Sequence, residues 1–186
     1  MTLTDLLVPT YRNMLQGLVV WLGKAQEQID DADALMSARL ASDMFPLATQ
    51  VRFACTQAYE GVCRLKHQPL PDSLEALVDE GRNAGDVPGT LADAVARVEE
   101  TLAFLEPVSE SELDAHVDED LALELPMGIA FDFTGNTYAR DWALPQFYFH
   151  IMAAYAILRA QGVEIGKADY VAHAFGYLRP GTAPAG

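Results

Sequence analysis

The chain has 186 residues, 51% of them hydrophobic and 21% charged, with a formal net charge of -15. That length predicts one domain of roughly 100–200 residues with a core that needs no disulfide staples, and the composition excludes disorder. The acidity argues against nucleic acid and anionic membrane surfaces as partners, because both are polyanions. The first helical signal runs through Leu7, Tyr11, Met14, Leu18, Leu22, Ala25 and Ile29, whose alternating three and four spacing lines one helix face. The acidic run at 30–33 ends it, and a short helical turn is expected over 34–40. Ser42 or Asp43 is expected to cap a second helix, with Pro46 in its first turn. The apolar face of that helix is Leu47, Val51, Ala54, Ala58, Val62 and Leu65, and two prolines at 69 and 71 close it. A short helix is expected at about 73–83, a turn at 85–89, and a further helix carrying Leu91, Val95, Val98, Leu102 and Leu105.

The pattern changes between 117 and 134. Leu121, Leu123 and Leu125 alternate with polar or small residues, and Ile129, Phe131 and Phe133 do the same beyond a Pro-Met-Gly turn. Period two on both sides of a turn predicts a β-hairpin whose apolar side lies on the helices. Thr134 is expected to cap the last long helix, which runs to about Gln161, with Gly162 just past its end. Pro145 should kink this helix or mark its true start. From Phe147 to Leu158 the helix is apolar almost all round, so it is either the central element of the bundle or the cover for a partner subunit. His150 is the one strongly ionisable group in that run.

The net charge belongs entirely to the middle third. Residues 70–134 hold Arg82 and Arg97 against seventeen Asp and Glu. That density reads as a solvated face, or as a docking surface for a basic partner. No signal-peptide pattern opens the chain, and no stretch reaches the roughly 18 apolar residues of a membrane span. Cys55 and Cys63 fall on one predicted helix, too far apart along its axis to bridge. From these features a cytoplasmic protein is expected. There is no nucleophile elbow, phosphate loop or HExxH pair.

The run ARLASDMFPLATQ, then LPQFYFHIMAAYAILRAQG and GKADY after the hairpin, resemble an uncharacterised branch of the DinB-like superfamily. The resemblance implies a mainly α fold, a four-helix bundle with a long crossover and a hairpin before the last helix. Residues 1–170 form that single domain and 171–186 a C-terminal extension with a frayed Gly/Pro/Ala end. It also implies frequent dimerisation, and includes metal-dependent, thiol-linked transferases and hydrolases that use one histidine on the second helix and an HxxxH pair on the last. His150 matches the second histidine of the pair. Gln146 stands where the first would be, and Gln50 falls near the position on helix two.

One imidazole and two neutral amides make a poor catalytic metal set. No cofactor is therefore expected, beyond a weakly held divalent transition metal on His150, Gln146 and Gln50. Two other readings of the cluster stay open: an internally hydrogen-bonded buried imidazole, or the floor of a ligand pocket walled by Trp142 and Tyr155. His67, His116 and His173 are expected to be surface residues. The sequence thus points to a non-enzymatic homodimer that binds a small molecule or a partner, or alternatively to a diverged metal- or thiol-dependent transferase or hydrolase.

Overall fold

Thr2 opens the molecule with a capping box, its hydroxyl accepting from the Asp5 N–H while the Asp5 carboxylate accepts from the Thr2 N–H. The computed structural model describes residues 1–182. Helix α1 spans Leu3–Gln28, and a 3₁₀ turn at Ala32–Ser37 follows it. Helix α2 spans Leu47–Leu65 and begins directly at Pro46, without a side-chain cap. Ser42 and Asp43 therefore do not cap it. They sit in a turn folded on itself, with the Met44 N–H on the Ala41 carbonyl and Arg39 donating to the Met44 carbonyl at 2.9 Å. Helices α3 (Asp72–Asn83) and α4 (Leu91–Leu105) come next, the latter capped by Thr90 and Asp93.

The 14-residue connection from α4 to the hairpin (106–119) is pinned to the start of α1. Asp114 accepts from the Leu3 N–H and the Thr4 hydroxyl, both at 2.7 Å, and the Leu113 N–H donates to Thr4 Oγ1 at 2.9 Å. Strands β1 (Asp120–Leu125) and β2 (Ile129–Thr134) pair antiparallel, with Leu121 opposite Phe133 and Leu123 opposite Phe131. Leu121 and Leu123 are buried, whereas Ile129 and Phe131 remain exposed. The hairpin thus buries the inner side of one strand rather than of both.

Thr134 makes a capping box with Thr137 and starts α5 (Gly135–Tyr138). A π-helical turn at Ala139–Ala143 leads into α6 (Leu144–Ala160). Pro145 has no N–H and its ring would collide with a carbonyl one turn earlier in a regular helix. The wider π turn immediately before it removes that conflict. Gly162, at φ 90°, ends the helix.

Helices α1, α4, α2 and α6 pack in that order around one contiguous core, with α3 laid against α2. The sequence pattern makes α6 a candidate for the central element, but α2 holds that place, with fourteen of its nineteen residues buried. Helix α2 is flanked by α3, α4 and α6, whereas α6 packs on α1 and α2 and leaves its far side open. On that side Tyr148, Phe149 and Met152 are 38%, 55% and 47% exposed. Beyond α6, α7 (Lys167–Tyr170) folds back on α1: Tyr170 stacks on Trp21 and Asp169 pairs with Lys24 at 2.6 Å. A 3₁₀ turn at Ala172–Tyr177 carries no buried residue. Residues 183–186, at the expected frayed end, lie outside the described residues.

Candidate functional site

The first turn of α2 and the middle of α6 bring Gln50 and His150 together. His150 Nδ1 lies 2.8 Å from Gln50 Oε1. The Gln50 amide nitrogen donates to the Phe45 carbonyl at 3.2 Å, which turns Oε1 toward the ring. Nδ1 is therefore the protonated nitrogen and the donor. The rings of Phe53 and Phe149 stand edge-on to the imidazole, at centroid distances of 5.4 and 5.2 Å. Burial pushes the His150 pKa down to about 4, so the ring is neutral at pH 7. Neither residue leaves a fully buried side-chain polar atom without a partner.

The other expected site residues separate. Gln146 lies half-buried one turn before His150. Trp142, in the π turn, packs on Phe131 and Phe133 of β2. Tyr155 stands edge-on to Trp21 and Tyr170, on the side of α1 and α7. The two cysteines are free and buried, and desolvation pushes the Cys55 thiol up to about 12.

Two features had no pattern in the sequence. Arg52, 4% exposed, is held by Glu80 and the Ala48 carbonyl, and Glu80 also accepts from Nε and Nη2 of Arg97. These ion pairs hold the Glu80 carboxyl below the usual range, the Arg97 hydrogen bond foremost. The three residues line a cavity of about 640 Å³ bounded by α2, α3 and α4. His67 and His116, expected as separate surface residues, stack on each other at 4.2 Å beside Glu119. His173 remains exposed.

A four-helix bundle with a hairpin crossover and an imidazole buried between its second and last long helices defines the class as DinB-like. A family model for a domain of unknown function, DUF1993, matches residues 3–171. The crystal structure of a DinB family member protein from Shewanella denitrificans is 34% identical, with a TM-score of 0.75 over 98% of this chain and 96% of that one. The chain belongs to the DUF1993 family of DinB-like proteins. No curated protein matches it.

The residues at the position where the resemblance places a metal do not fit one. Gln50 Oε1 already accepts from His150 Nδ1, and its amide nitrogen is tied to the backbone. What remains is one neutral imidazole nitrogen and the amide of Gln146, well short of three good ligands.

Proposed function

We propose that this chain is a non-enzymatic, cytoplasmic homodimer in which the superfamily's metal position has become a structural hydrogen bond, freeing the bundle to bind a small molecule or a partner. The observation that carries the reading is the Gln50–His150 pair, which consumes the one imidazole at that position in an internal contact at 2.8 Å. A reaction at the chain's own cysteines has little support, since burial raises both thiols, Cys55 to about 12. For the small-molecule arm, the bundle offers the cavity lined by Arg52, Arg97 and Glu80, whose side chains are held in place by one another. For the dimer, Tyr148, Phe149 and Met152 form an apolar row along the open side of α6. That row explains why the helix is apolar on the side the bundle does not cover.

Light scattering at micromolar concentration tests the dimer. The parent is expected at twice the chain mass, and Phe149→Asp and Met152→Asp at the single mass with unchanged helix content. A monomeric parent, or two variants that remain dimeric, would overturn it.

A further inference from the structure

A second histidine cluster lies at the opposite end of α2 from Gln50. His67 follows the end of the helix, and His116 and Glu119 lie in the turn that leads into β1. Glu119 Oε2 is 3.0 Å from His116 Nδ1 and 3.6 Å from His67 Nδ1. One ligand atom from each residue falls within 4.8 Å of the other two. Ligands around a tetrahedral zinc lie about 3.3 Å apart, given zinc–nitrogen and zinc–oxygen bonds of about 2.0–2.1 Å. The two separations from Glu119 bracket that value.

Three further observations bear on this cluster. His116 Nδ1 is buried and has no hydrogen-bond partner, although the carboxylate oxygen is close. A ring nitrogen and a carboxylate oxygen this close are joined by a proton when the ring carries one there, and by a cation when both present lone pairs. His67 occupies the left-handed region at φ 50°, closing α2 with its N–H on the Arg64 carbonyl and the Gln68 N–H on the Cys63 carbonyl. That position belongs by preference to glycine, and a side chain there costs backbone energy. The turn holding His116 and Glu119 is clasped from α5: the Gly135 N–H donates to the Glu119 carbonyl, the Asn136 N–H to the Val117 carbonyl, and the Asn136 side chain to Asp118. A Cβ on Gly135 would meet the His116 carbonyl oxygen at 2.8 Å, so only glycine permits this approach.

We propose that His67, His116 and Glu119 form a binding site for a zinc-class divalent cation, separate from the position the superfamily uses, that ties the root of the hairpin to the end of α2. Two imidazoles and one carboxylate match zinc in ligand type and leave a fourth position for water. The two rings are stacked, at an interplanar angle of 12°, so one must turn to aim its lone pair at a common point. His67, beside an open cavity of about 250 Å³, has the room.

The test is a zinc titration of tag-free, chelator-treated protein, with unfolding in urea measured on the same samples. The parent is expected to bind one zinc per chain at micromolar concentration. His67→Gly, His116→Gln and Glu119→Gln should each weaken binding at least about tenfold, while His150→Gln should not. His67→Gly should also unfold at a higher urea midpoint than the metal-free parent, because it relieves the left-handed backbone. Weakened binding by a variant that folds better excludes loss of fold as the cause. A Gly135→Ala variant should weaken zinc less than the ligand variants do, since it displaces the turn without removing a donor. A parent that binds no zinc, three ligand variants that bind as the parent does, or a loss confined to His150→Gln would overturn the proposal.

Discussion

Helix α2 meets a histidine site at each end, and the two sites contrast. At its start, His150 is 7% exposed and its one proton donor is matched to an amide oxygen that the backbone orients. Beyond its end, His67 and His116 have side chains about one-third exposed, and both Nδ1 atoms approach the one carboxylate of Glu119. The 17 residues from 50 to 67 put these sites about 25 Å apart along the helix. The inner arrangement is closed at Nδ1, where donor and acceptor are matched within the fold. The outer one brings two imidazoles and a carboxylate to within ligand distance of one another. A satisfied buried histidine specifies packing, whereas converging unsatisfied donors specify a ligand.

Removing the inner imidazole should produce the largest effect. His150→Ala leaves a cavity against Phe53 and Phe149 and strands Gln50 Oε1, and is expected to cost about 3 kcal/mol in denaturant unfolding. His150→Gln retains a donor and should cost less. If both variants unfold at the parent's midpoint, the inner site has no structural duty and the contrast between the two ends collapses.

Acid should act on the same contact. The folded pKa of His150 lies near 4 and the unfolded value near 6.5. The unfolded state therefore takes up the proton first. The contribution of the neutral ring is fully present above about pH 6.5, declines as pH falls, and is spent below about pH 4. Between pH 7.5 and 5 the parent should lose about 2 kcal/mol more stability than His150→Gln. Parallel pH profiles for the two proteins would show that the ring is not held neutral.

How far the sequence could be read follows from how local each signal is. The helix faces and the hairpin were legible because their periods of 3.6 and 2 are written in consecutive residues, and β1 and β2 pair across the Pro-Met-Gly turn. Gln50 and His150 were legible as a pair only through the resemblance, since nothing in the spacing joins α2 to α6. The side of α6 that faces away from the core was not legible, because a helix apolar all round has no pattern to separate Phe147, fully buried, from Phe149, 55% exposed. The outer site was illegible for a topological reason. His67 and His116 meet because Leu113 and Asp114 pin the long connection to Thr4, and Gly135 admits the turn against α5. Thr4, which anchors that pin, lies far from both histidines in sequence.

The contrast between the two ends of α2 is tested most directly by following the ring nitrogens of the histidines by NMR while zinc is added to tag-free protein at pH 7. The account predicts that His150 stays in the neutral form protonated at Nδ1 and does not shift, while His67 and His116 move together to saturation at one zinc per chain. Zinc-dependent shifts at His150, with His67 and His116 unmoved, would contradict it and return the metal to the superfamily's position.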